Sequence, residues 1–177
     1  MKKVILVLLF ISGFIYSQEL SYISPKEVKQ VEYKAEVKET GAIKVSLKDS
    51  EYIITSEFSL EDSGWARLDK DKTENLKNVK LDKDRFTGET DYFIIERSIK
   101  KNKECIEVVD RIKNKTDQLL PLIIRHRTDI PEAKEHYLGG LRIYLKRGVS
   151  TDPANPTTIV ITDKGSIGIL PINDVFR

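Results

Sequence analysis

A single cysteine in 177 residues cannot close an internal disulfide, so this chain must hold together by packing alone. Histidine is almost as scarce: His126 and His136 are the only two, and neither stands in an H-E-x-x-H spacing. His126, Asp129, Glu132, Glu135 and His136 do gather ligand-type atoms in a short span, but loop carboxylates are common and no metal is expected there. An excess of one charge is also missing. Thirty Lys and Arg are mixed among 28 Asp and Glu, which leaves no basic stripe for nucleic acid. No G-x-S-x-G elbow occurs, and Gly139-Gly140 is not followed by a helical pattern that would make a phosphate loop. No cofactor is therefore expected. Beyond the first 17 residues there is no long apolar run, so the remainder has no helical membrane span.

The first 17 residues differ from the rest. MKKVILVLLFISGFIYS has a basic start, an apolar run from Val4 to about Tyr16 and a small residue, Ser17, before Gln18. That is the layout of a secretory signal peptide, and the run is shorter than the roughly 20 residues that span a bilayer. Cleavage after Ser17 removes Lys2 and Lys3 and takes the formal charge from +2 to 0. About 160 residues remain, 18–177, the size of one domain with room for a core. A secreted or periplasmic location follows.

What remains reads as strands. The strongest pattern is ECIEVVDRIKNKTDQLLPLIIRHRT, Glu104 to Thr128. Ile106, Val108 and Ile112 share one face of a first run, and Leu120, Leu122, Ile124 and His126 share one face of a second. The turn formers Asn114 to Gln118 lie between them. Period two with β-branched residues means strand, and two such runs about a polar turn predict a hairpin with Ile106, Val108, Ile112, Leu122 and Ile124 inside. In that register Glu107 and Arg125 become a cross-strand pair. Cys105 reads as a small, partly buried apolar residue.

Val31, Tyr33, Ala35 and Val37 alternate with charges as a half-exposed strand, although Val28, Val31 and Ala35 also fit a helix over Pro25–Glu39. Ile43, Val45 and Leu47, a turn at Asp49-Ser50, and Tyr52, Ile54 and Phe58 form another hairpin. Trp65 follows Ser63-Gly64, and the charge-dense stretch Asp69 to Asp84 is a solvated loop or exposed strand pair. Tyr92 to Ile99 leads through Lys100–Lys103 into the Glu104 run, making an antiparallel meander. The chain loosens from Asp129 to Gly139-Gly140, resumes with Leu141, Ile143 and Leu145, and breaks again at Asp152 to Pro156. A last hairpin turns at Asp163-Lys164-Gly165, with Ile159 and Ile161 facing Ile167, Ile169 and Ile172. The fold class expected is all-β, an antiparallel β-sandwich.

Asn114-Lys115-Thr116-Asp117, Pro121 and His126 resemble the galactose-mutarotase-like β-supersandwich, in which an N-x-T-D turn leads into a proline-bearing strand ending in a sugar-contacting histidine. The closing NPTTIVITDKGSIGILPINDVFR also resembles strands of sandwich domains attached to secreted glycoside hydrolases. His126 comes one residue earlier than in that pattern, which turns its side chain into the core unless a bulge near Pro121 restores the facing. Mutarotase chemistry needs a second histidine and a downstream carboxylate base, and those positions have no counterpart here. The resemblance therefore implies a sugar-facing sandwich with no catalytic residues of its own, and the stop at Arg177 implies a piece of a longer glycan-degrading enzyme.

Sugar rings stack on aromatic faces while Arg, His and Asn fix their hydroxyls. The carbohydrate-binding candidates are accordingly Trp65, Arg125, His126, Arg127 and Tyr137. The rival expectation is an exported β-sandwich with a protein-binding or structural role, in which Trp65 is a core residue.

Overall fold

A computed structural model describes residues 32–61, 64–103, 105–139, 141–143 and 157–171. The expected signal peptide, Val28, Val31, Ser63, Leu145, the loop at 152–156 and Ile172 lie outside the described residues. The described residues fall into two compact units, Glu32–Pro131 and the part from Glu132 onward, and contain strands but no helix.

The first unit is a sandwich of two antiparallel sheets. One sheet runs β1 (Tyr33–Val37), β2 (Ile43–Leu47), β3 (Ser50–Ser59), β4 (Trp65–Leu68) and β5 (Thr73–Glu74), with β10 (Ile124–Thr128) also paired to β3. The other is the meander β6 (Lys77–Asp82), β7 (Arg85–Glu89), β8 (Phe93–Lys101) and β9 (Ile106–Asn114). Ten-residue β3 is the hub. Ile54 pairs with both Ile43 and Thr128, and Ser56 and Phe58 pair with both β4 and β10. A strand has two edges, so β10 lies along one edge of β3 while β2 and β4 share the other.

Alternation sets the core. Val37, Phe58, Ala66 and Leu68 from the first sheet meet Phe86, Phe93 and Ile95 from the second, all buried. Phe58 and Phe93 join the sheets with ring centroids 6.4 Å apart. Burying two such rings removes about 150–250 Å² of surface each from water, the largest apolar contribution per residue in this core. Gly41, in the β1–β2 turn, has φ +77°, and a Cβ there would meet the Phe86 ring at 2.9 Å. Backbone and ring approach so closely that only glycine fits.

Within 69–84 one strand, β6, is nearly all exposed, but its partner β7 lies beyond that stretch and buries Phe86 in the core. The Glu104–Thr128 hairpin is not. β9 pairs with β8 in one sheet, and β10 pairs with β3 in the other. Asn114 Oδ1 accepts from the Thr116 N–H at 2.8 Å, and its amide donates to the Gln118 carbonyl at 2.7 Å, so the turn is stitched locally. Pro121 then offers no N–H for a ladder, and regular pairing resumes only at Ile124. Leu120 and Leu122 pack onto the shared core instead of a neighbouring strand. The segment thus bridges one sheet to the other.

Consequently Glu107 stands opposite Lys100 and Arg125 opposite Glu57, not opposite each other. Of the residues expected inside, Ile106, Val108, Ile112 and Leu122 are half-buried, while Ile124 is 42% exposed. Cys105 is exposed at the β8–β9 turn, its carbonyl accepting the Tyr33 hydroxyl at 2.7 Å.

The second unit contains the antiparallel sheet β12 (Leu141–Ile143), β11 (Glu135–Leu138), β13 (Thr158–Ile161) and β14 (Ser166–Ile169), in that order. β11 occupies a stretch that reads as loop, because Glu135 and His136 mask its alternation. The β13–β14 hairpin turns as expected, with Thr162 N–H and hydroxyl both donating to the Gly165 carbonyl. Its register differs: Val160 pairs with Ile167 and Thr158 with Ile169, while Ile159 and Ile161 oppose Gly168 and Ser166.

Candidate functional site

On β3, β4 and β10, alternate residues point to opposite sides of one sheet. Odd-numbered Thr55, Glu57 and Ser59, Trp65 and Arg67, and Arg125 and Arg127 share the outer side, with Glu74 of β5 opposite Arg67. Even-numbered Ser56 and Phe58, Ala66 and Leu68, and Ile124, His126 and Thr128 share the inner side.

The outer side assembles charge around one aromatic ring. The Arg125 guanidinium carbon lies 4.3 Å from the centroid of Trp65, a cation–π stack. Glu57, only 8% exposed, is bracketed by Arg67 Nε and Arg127 Nη2, each at 3.1 Å. Arg67 also reaches Glu74 at 2.8 Å, and Lys72 reaches Glu74 at 2.8 Å. Hydrogen bonds from Lys72 and then Arg67 hold the Glu74 carboxyl below the usual carboxylate range. Trp65 is half-buried, and the side chain of Arg127 is 59% exposed.

The inner side carries a polar chain through the core. Arg97 of β8 is fully buried, and its guanidinium grips Asp110 of β9 through Nε and Nη2, both at 2.7 Å. Nη1 donates to the Gly41 carbonyl at 2.9 Å and Nη2 to Ser56 Oγ at 2.8 Å. Ser56 Oγ lies 2.9 Å from His126 Nδ1. Ser56 Oγ accepts from Arg97, and its own hydrogen can be given to Nδ1 when the neutral ring carries its proton on Nε2. Burial of that ring lowers the His126 pKa, Arg97 lowers it further, and Asp110 opposes. The residue as a whole is nonetheless exposed, so water screens part of this effect. Ser56 resembles a nucleophile beside a histidine, but it is 1% exposed and already holds Arg97. It has no access to substrate.

No protein-family model matches this chain, and neither a curated protein nor a solved structure does.

Of the five residues expected to contact sugar, Trp65, Arg125 and Arg127 come together on the outer side. His126 points the other way, toward Ser56, with no bulge between it and β3. Tyr137 belongs to the second unit, where its hydroxyl donates to Glu135 Oε2 at 2.9 Å. Glu57 and Arg67 complete the outer cluster but were not singled out by sequence, since lone charges in strands ordinarily face solvent. The network around Arg97 was also missed, though a signal existed. Arg97 continues the inward series Phe93, Ile95, Ile99, and Asp110 interrupts Ile106, Val108, Ile112, so opposite charges occupy core-facing positions on adjacent strands. Among the described residues no group of three or more His, Cys, Asp or Glu is placed to hold a metal. The shallow concavity over β1 and β2, about 630 Å³, is lined by mixed charges such as Lys34, Glu36, Lys44 and Glu51. Lys44 and Glu51 pair at 2.7 Å, and the one aromatic lining it, Tyr33, spends its hydroxyl on the Asn102 and Cys105 carbonyls.

Proposed function

We propose that this is an exported, non-catalytic carbohydrate-binding β-sandwich protein, with the outer side of β3, β4 and β10 as its sugar face. The observation that carries this reading is the Arg125–Trp65 stack at 4.3 Å, flanked by Arg127. A ring and two guanidiniums from distant stretches of chain converge on one sheet surface, where the ring holds Arg125 in place and the guanidinium donors can fix sugar hydroxyls. Lack of catalysis is supported by the carboxylates present. Glu57 and Glu74 both pair with Arg67, so neither is free to deliver a proton as a general acid. Where the chain belongs to a longer glycan-degrading enzyme, catalysis would reside in another part.

The test is retardation of the purified protein in native gels cast with soluble polysaccharides, wild type against Trp65→Ala, with circular dichroism to check folding. At least one polysaccharide should retard the wild type, and Trp65→Ala should reduce that retardation about tenfold with the spectrum intact. Absence of retardation by every polysaccharide, or equal retardation of both proteins, would overturn the reading. Export predicts an intact mass beginning at Gln18 for secreted material; recovery of the chain from Met1 in membranes would contradict it.

A second reading, a protein-binding role, draws on Leu119, Ile123 and Ile124, which are 98%, 56% and 42% exposed around the start of β10. A stable complex that survives Trp65→Ala and is lost in Ile123→Asp would favour it.

A further inference from the structure

We infer that the ligand of the outer sheet side is an anionic polysaccharide, one whose rings carry carboxylate or sulfate groups. This rests on the carbohydrate reading above and goes beyond it by assigning the charge of the ligand. Four cationic side chains, Arg67, Lys72, Arg125 and Arg127, share this surface with two carboxylates, Glu57 and Glu74. These six side chains carry a surplus of two positive charges, whereas the exported chain without Lys2 and Lys3 sums to 0.

The surplus is not spread evenly. Both carboxylates pair with Arg67, so Arg67 and Lys72 are neutralised by Glu57 and Glu74. Arg127 gives Nη2 to Glu57 and leaves the rest of its fork outward, with 59% of the side chain exposed. Arg125 is exposed, and among the described residues its guanidinium stacks on the Trp65 ring. A ring face binds a guanidinium without consuming its N–H donors, which stay in the guanidinium plane. Those donors suit a carboxylate or sulfate, which accepts two parallel N–H bonds from one fork. Arg125 and Arg127 alternate along β10, so their stems stand roughly 6.6–6.8 Å apart on one side of the strand. Two oxyanions on successive parts of one glycan chain can be held at once beside the Arg125–Trp65 stack. A neutral glycan would leave the positive surplus unmatched.

The experiment compares ligands that differ only in charge. Retardation of the purified protein is measured with polygalacturonate, its methyl ester, dextran sulfate, dextran and polyglutamate. Wild type, Trp65→Ala, the double variant Arg125→Gln/Arg127→Gln and the control Lys44→Gln are compared, with thermal unfolding recorded for each. Polygalacturonate or dextran sulfate should retard the wild type at least tenfold more than the uncharged counterpart, and whichever does so identifies the oxyanion. The double variant should lose about tenfold of that preference, Trp65→Ala should also bind weakly, Lys44→Gln should bind as wild type, and added salt should weaken binding. Equal binding of charged and uncharged glycans, with Trp65 still required, would overturn the anionic assignment and leave the carbohydrate reading standing. Polyglutamate bound as tightly as polygalacturonate would overturn it in favour of a general anion surface. Retardation by no glycan would remove both.

Discussion

The two sides of β3, β4 and β10 are built from neighbouring residues and use arginine in opposite ways. On the inner side Arg97 is sealed, with four of its five N–H donors committed to Asp110, Gly41 and Ser56. On the outer side Arg125 rests on the Trp65 ring and Arg127 gives one nitrogen to Glu57. The difference lies in surroundings, not residue type. A guanidinium between two sheets must find its charge partner and most of its acceptors internally, because an unpaired buried charge is strongly unfavourable. At the surface water satisfies the remainder, so donors stay available for exchange with a ligand. The inner arginine therefore acts on stability and the outer ones on recognition.

The sharpest way to break this contrast is Arg97→Met. It strands Asp110 and Ser56 inside the sandwich and should cost about 3–5 kcal/mol in urea unfolding, the range for removing one partner of a buried pair. Arg97→Met combined with Asp110→Leu should recover part of that loss, since the stranded carboxylate is gone. A single variant as stable as wild type would show that the inner pair is solvated after all.

Gly41→Ala tests the support beneath the network. Left-handed backbone at a non-glycine residue costs roughly 1–2 kcal/mol. The new Cβ, 2.9 Å from the Phe86 ring, adds displacement of the core on top. Thermal unfolding should therefore drop by several degrees; an unchanged midpoint would mean that the β1–β2 turn yields freely.

The pH response of the inner side is next in size. His126 has a folded pKa below the ordinary value of about 6.5, so the folded state resists a proton that the unfolded chain accepts. Its contribution is fully present above about pH 6.5, declines as pH falls below that value, and is exhausted once pH passes beneath the depressed folded pKa. Urea midpoints measured from pH 8 to 5 should fall less steeply in His126→Gln than in wild type. Parallel profiles would exclude His126 as the source.

The smallest effect belongs to the outer side. Arg127→Gln breaks an ion pair in which the arginine is largely exposed, and should change stability by about 0–1 kcal/mol. A loss as large as that of Arg97→Met would erase the distinction between the two sides.

Much of the fold was legible from alternation. β1, β2, β3, β8, β9 and the β13–β14 turn follow from apolar residues at every second position, since that period is a local property of extended chain. Pairing between distant strands was not legible. The same alternation at 106–112 and 120–126 fits a hairpin as well as two strands in facing sheets, and only Pro121 hinted at the second. The candidate site divides likewise. Trp65, Arg125 and Arg127 could be named from residue type, but that they share a side depends on Ser59 pairing Trp65 and Glu57 pairing Arg125.

By itself, then, the sequence determined that the described chain would be β, where most strands lie and which side of each is apolar. Tertiary structure alone decided that β9 and β10 part company across the sandwich, and that Arg97 meets Asp110, Ser56 and Gly41. It also decided that the outer arginines gather around one tryptophan. The reason is physical: side-chain period is written into neighbouring residues, whereas register between strands 60 or 70 residues apart is chosen by core packing, which no local pattern contains.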